Sequence, residues 1–215
     1  MLALLFTLHT GRNALLKSIA FLSGAALMSL EIVGSRVLAP YFGTSVFVWG
    51  SLIGVVLAAL SVGAYLGGRI ADRIPGHRPL ATCLGVAGVM AIIIPWIGPV
   101  VNREVFALAL GPRGGPLAAS LVLFVVPGLT LGAINPFVLK LSVSSVERIG
   151  ETAGLVSALS TAGSIFGTLV TAFYLIPVAG VSVICHLTGA VLVALGGLAW
   201  MGKSMSAERG GKRVH

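Results

Sequence analysis

Glu31 stands inside an apolar run, about two-thirds of the way along it, where a carboxylate needs a reason. An acid at the centre of a membrane helix costs roughly 3 kcal/mol on insertion scales and far more by other estimates. Such a group either binds a cation, carries a proton, or locks helices together by pairing with an arginine. Arg36 is the nearest basic residue, yet at 100° per residue it lies about 140° round a helix from Glu31. Each therefore seeks a partner on another helix, or Arg36 snorkels to the outer surface. Asn135–Pro136 is a second candidate. Proline removes an intrahelical hydrogen bond and frees a carbonyl, which is tolerated at membrane depth only beside protein or a wet cavity. The pair is expected to break its helix, together with Pro127, as a gate or merely as shape. His186 reads as a core histidine bonded to a neighbouring helix, or as a proton relay. Tyr41, Trp49 and Trp200 sit where interfacial aromatics belong, with Trp49 also placed to face a pocket mouth. Lys140 reads as an interfacial anchor. Glu147, Arg148 and Glu151 read as a solvated loop and the following helix's first turn.

Other chemistries find little support. Cys83 and Cys185 both lie in apolar runs without a CxxC motif, so neither a disulfide framework nor a metal site is expected. There is no HExxH, no Ser–His–Asp set and no cluster of acids at metal spacing. The chain is expected to be no enzyme and to need no cofactor.

The elements that must position these residues follow from composition. The chain has 215 residues, 57% hydrophobic and 9% charged, against about 25% charged in soluble domains. Its surface must therefore face something apolar, a lipid bilayer. At about 20 residues per span the chain holds six helices, over Ala14–Ala39 (closed by Pro40), Val46–Gly68, Leu80–Val101, Pro116–Lys140, Ala153–Val178 and Val181–Gly202. Residues 102–115 read as a polar connection with a short apolar patch. Residues 1–13 read as a short amphipathic or frayed cytoplasmic lead-in, 14–202 as the transmembrane domain, and 203–215 as a basic tail. The expected fold is an all-α membrane bundle of about six helices.

Lys and Arg outnumber Asp and Glu 14 to 6, for a net charge of +8. No basic stripe with interleaved aromatics exists, so nucleic acid is not an expected partner. The basic residues instead gather on one side. Arg12, Lys17, Arg69, Arg73, Arg78, Lys140, Arg148, Lys203, Arg209, Lys212 and Arg213 fall at the ends and even-numbered loops. Only Arg103 and Arg113 fall opposite. By the positive-inside rule both termini are expected in the cytoplasm.

The 29 glycines supply packing, because lipid gives helices no hydrophobic reason to associate and close approach through small residues must serve instead. Gly50/Gly54, Gly63/Gly67, Gly128/Gly132 and Gly163/Gly167 all have GxxxG spacing. The fifth span adds Ser157, Ser160, Thr161, Ser164, Thr168 and Thr171. These hydroxyls serve helix contact alone, or some of them line a polar cavity. Spacing does not separate the two.

The loop Gly68-Arg69-Ile70-Ala71-Asp72-Arg73-Ile74-Pro75-Gly76-His77-Arg78 resembles the signature loop of the major facilitator superfamily, with one extra residue before Gly76. Here Gly68 is expected to allow close helix approach and Asp72 to cap or pair with a neighbouring helix end or arginine. Arg69, Arg73 and Arg78 would hold the loop at the anionic cytoplasmic face. The stretches Leu30–Arg73 and Asn135–Val181 more closely resemble the membrane domain of bacterial spermidine-synthase-like membrane proteins, in which a facilitator-like domain is fused to an aminopropyltransferase. No glycine-rich nucleotide-binding segment is found in this chain, so the resemblance carries over the membrane fold and not the transferase chemistry.

What the resemblance implies is one six-helix half of a facilitator-like bundle in a bacterial cytoplasmic membrane. A lone half offers one wall of a central site. The expectation is a homodimer that rocks around a small solute, cationic or polyamine-like, with Glu31, Arg36, Trp49, Asn135 and His186 as binding candidates and Pro136 as a gate. The competing expectation is a non-transporting anchor for a separate soluble synthase-like protein.

Overall fold

The computed structural model describes the backbone of residues 2–74, 76–143 and 148–201, and side chains from Ala14 onward. Six long helices carry the chain: α1 (Leu2–Phe42), α2 (Val46–Arg73), α3 (His77–Ala107), α4 (Gly111–Ser142), α5 (Ile149–Val178) and α6 (Val181–Met201). Among the described residues there is no strand. All six are long and apolar enough to cross a bilayer, so the chain is an all-α, multi-pass membrane protein. Glu147 and the basic tail from Lys203 lie outside the described residues.

Several boundaries move. The backbone is helical from Leu2, so residues 2–13 continue α1. Pro40 does not close α1, because a proline so near the end deprives only one carbonyl of its donor. The stop is Gly43, whose φ of +74° suits glycine and whose N–H reaches Ala39 O at 2.9 Å. α3 runs past Val101 to Ala107, absorbing residues 102–107 of the expected polar connection. Nor is α4 broken at Asn135–Pro136: it is continuous through Pro116, Pro127 and Pro136. Packed neighbours let a membrane helix run through proline, and each proline here deprives only the carbonyl four residues back of its donor. The irregularity falls instead in α5, as a π-helical turn at Thr171–Leu175.

The most extensive packing pairs α2 with α4, α3 with α6, and α1 with α5. α1 and α4 form the centre, half or more of their apolar stretches buried, against 17% for α5. A large part of α5 therefore faces outward.

This pairing is an internal repeat with a residue-level register. Gly63 lies against Leu129 as Gly163 lies against Phe21, and Gly67 against Ala133 as Gly167 against Ala25. Gly132 meets Leu60 as Gly24 meets Ser160. One constant numbering shift takes α1 onto α4 and another takes α2 onto α5. On α3 and α6 the contact is reciprocal, Gly88 with Val193 and Gly189 with Ile92. The halves α1–α3 and α4–α6 are thus related by a pseudo-two-fold axis passing between α1 and α4. With an odd number of spans per half, the second half enters the membrane from the opposite side.

Candidate functional site

One face of the bundle gathers α1 and α4 at its centre with α2 and α5 at its sides. Two adjoining chambers open there. The larger, about 230 Å³, is lined by Ser23, Gly24, Leu27, Leu60, Ala64, Leu131, Gly132, Asn135 and Ser160. The smaller, about 10 Å³, is lined by Leu27, Leu30, Glu31, Val56, Phe124, Pro127, Gly128 and Leu131. Leu27 and Leu131 form the partition between them.

The larger chamber lies on the pseudo-two-fold axis, because its lining falls into equivalent pairs: Ser23 with Leu131, Gly24 with Gly132, Leu27 with Asn135, Leu60 with Ser160. The pairs are not alike in chemistry. Asn135 Nδ2 donates to Ser160 Oγ at 3.1 Å, whereas the equivalent positions across the axis are the two leucines Leu27 and Leu60. The amide oxygen, Asn135 Oδ1, is buried with no hydrogen-bond partner. Pro136 next to it lacks the N–H that the Gly132 carbonyl would accept one turn back, and Gly132 lines the chamber. The lining therefore divides into a polar part, Ser23, Asn135 and Ser160, and a hydrocarbon part, Leu27, Leu60 and Leu131. Ser23 Oγ spends its proton on Ala20 O (3.1 Å) and keeps lone pairs free.

Glu31 is half-buried and level with Pro127 and Gly128 at the middle of α4. It makes no hydrogen bond or ion pair among the described residues. Arg36 is exposed and does not pair with it. No Glu–Arg bridge locks it among the described residues, and the aliphatic part of its side chain borders a space no larger than one water.

The other expected site residues lie elsewhere. Trp49 is exposed near the start of α2. His186 packs on Trp96 across α3 and α6, ring centroids 5.0 Å apart, with Nε2 buried and unbonded. Of the signature residues, Gly68–Arg73 form the last turns of α2 and Arg78 begins α3. Asp72 pairs with Lys140 of α4 at 2.7 Å, so Lys140 is a tie between helices as well as a surface cation. Arg69 Nη1 donates to Tyr65 Oη at 3.2 Å, and Arg78 stacks over Trp200 at 5.4 Å. Gly68 is not a point of close approach, since a Cβ there would meet nothing within 4 Å. Gly67 is, with Ala133 Cα 2.6 Å from where its Cβ would stand. A Cβ at Gly76 would come no nearer than 3.9 Å to anything, Pro79 Cδ.

The fifth-span hydroxyls separate cleanly. Ser160 lines the chamber. Ser164 Oγ donates to Gly24 O at 3.3 Å, Thr168 Oγ1 to Ser164 O at 2.8 Å, and Thr171 shares a 2.7 Å bond with Ser29. Ser157 and Thr161 face outward. Sequence reasoning missed Ser23, an isolated serine in an apolar run, and Asn102, placed in a connection. Asn102 is fully buried and its Nδ2 donates to Val37 O at 2.8 Å. Its position in a run of charged residues hid the helical phase that points it inward.

Comparisons with protein-family models, with curated proteins and with solved structures return no match.

Proposed function

We propose that the protein is a half-size, facilitator-like membrane transporter in which the α1/α2/α4/α5 face forms one wall of a solute path and a second copy supplies the other. The observation that carries this reading is Glu31, an unpaired carboxylate at the middle of the bundle, on the same face as a polar chamber. Intramembrane acids of this kind mark ion and substrate pathways. α5, mostly outward-facing, fits the role of a flank that a partner copy covers. The solute is small and cationic, because the one charged residue lining the two chambers, Glu31, is acidic.

The two chambers suggest a division of labour. The larger admits an organic solute. The smaller admits only a proton, a bare monovalent ion or one water, so Glu31 serves as the coupling group. Rocking of one copy against the other would expose this face to each side in turn. In the proposed orientation both termini lie in the cytoplasm.

The test is uptake of a panel of small organic cations into proteoliposomes, with Glu31→Gln beside the unaltered chain. Saturable uptake lost in Glu31→Gln, while helicity and unfolding temperature hold, supports the reading. Uptake unchanged in that variant, or a monomer by mass measurement in lipid, sinks it.

A further inference from the structure

The geometry points to the 230 Å³ chamber as a binding site for short, unbranched primary alkylammonium ions, with the ammonium held among Ser23, Asn135 and Ser160 and the chain against Leu27, Leu60 and Leu131. This inference rests on the transport reading for the site's importance, but not for its chemistry, which comes from the repeat.

The internal symmetry makes the two walls comparable position by position. Asn135 and Ser160 stand where the other half has Leu27 and Leu60, and Leu131 stands where the other half has Ser23. The chamber is thus amphiphilic by construction. Its polar end offers more acceptors than donors: the buried, unbonded Asn135 Oδ1, the Gly132 carbonyl without its usual N–H, and the lone pairs of Ser23 and Ser160, against the Ser160 hydroxyl proton and one remaining Asn135 amide proton. The Ser23 proton is already given to Ala20 O, and the Asn135 amide protons point in part to Ser160. A head group that only donates satisfies such an end, and a primary ammonium brings three donors and no acceptor. A hydroxyl head brings one. Carboxylate and phosphate heads bring none and would face these oxygens with like charge.

The opposite end, Leu27, Leu60 and Leu131, gives an aliphatic chain a surface to leave water for. The field of Glu31, just beyond Leu27 and Leu131, favours a cation further. Size then decides between one charge and two. A diamine long enough to bridge the chambers would need to place its second ammonium beside Glu31. About 10 Å³ is available there, room for one water at most. The site therefore selects monoamines over diamines. Pockets for drug-sized ligands run to about 300–1,000 Å³, so a chamber of this volume suits a chain of a few carbons.

The measurement is thermal unfolding of the detergent-solubilised protein, followed by tryptophan fluorescence, during titration with the chloride salts of ethyl- to hexylammonium. The n-alkanols of matching length, tetramethylammonium and 1,4-diammoniobutane are run alongside. Ligands that bind the native state raise the unfolding temperature. The expected result is a saturable rise for the monoammoniums that strengthens with chain length and then falls away. Alkanols, tetramethylammonium and the diamine should bind at least tenfold more weakly. Asn135→Leu should weaken the ammonium response tenfold or more, and Ser160→Ala by a smaller factor. Leu60→Ser should flatten the dependence on chain length.

Alkanols matching the ammoniums, or the diamine exceeding them, overturns the assignment with the unaltered protein alone, whatever happens to the variants. So does a response left intact in a folded Asn135→Leu. Binding as expected with no flux in proteoliposomes refutes the transport reading and leaves the site standing. Flux of organic cations with no ammonium binding refutes the site and leaves transport standing.

Discussion

The two three-helix halves pack alike and differ in their polar content. Gly63, Gly67 and Gly132 in one pair of helices do what Gly163, Gly167 and Gly24 do in the other. Three polar ties, by contrast, have apolar counterparts across the axis. Asn135–Ser160 answers to Leu27–Leu60. Ser29–Thr171 answers to Phe137 and Ala71, and Lys140–Asp72 to Ile32 and Ala172. Small residues that let backbones touch are needed wherever two helices cross closely, so both halves keep them. Hydrogen bonds in the membrane add only about 0.6 kcal/mol on average, so the bundle does not depend on them for association and they differ freely. Where such a tie lies in the axial chamber, symmetry is broken for a ligand.

The largest test of this comparison is steric. Leucine at Gly63 or at Gly163 would drive a side chain into the facing backbone. Each should lose at least the ~1–3 kcal/mol typical of overpacking, and the two losses should match. Chemical denaturation in detergent measures them, and a benign Gly163→Leu beside a ruinous Gly63→Leu would break the equivalence. Asn102 comes next. Asn102→Leu removes the bond to Val37 O and should cost about 1–3 kcal/mol. Ser29→Ala leaves Thr171 unpaired in a buried site and should cost about 0.6–1.7 kcal/mol. Lys140→Gln should cost no more than ~1 kcal/mol, since both partners of its ion pair are largely exposed, and the difference should vanish as salt rises. Smallest of all, Gly68→Ala should shift stability by under about 0.5 kcal/mol, one position from Gly67, where the same change meets Ala133.

Among the four GxxxG pairs the structure draws a line that spacing did not. Gly63/Gly67, Gly128/Gly132 and Gly163/Gly167 are contacts, while Gly50 and Gly54 have nothing within 4 Å of a would-be Cβ. They floor an apolar groove of about 480 Å³ with Leu117 and Leu121 of α4. The pattern is the same in all four pairs, and only the neighbouring helix distinguishes them. The helices themselves were legible, because twenty or so apolar residues in lipid can satisfy their backbone only as helix. Their ends were less so. Asn102 and Arg103 read as loop because polar residues usually end a span, yet α3 continues through them and buries one of the two.

Composition and run length by themselves determined that this chain is a six-helix membrane bundle, since charge too sparse for a water-facing surface leaves no other solution. Residue type alone also marked Glu31 and Asn135 as out of place in hydrocarbon. What only the tertiary structure decided is that these two occupy separate chambers of one face, that Ser160 rather than its neighbouring hydroxyls joins Asn135, and that Arg36 and His186 stand apart. Helical periodicity gives the direction of a side chain from its own axis. Which helix stands opposite, and how close, is set by the crossing of small residues far apart in the chain.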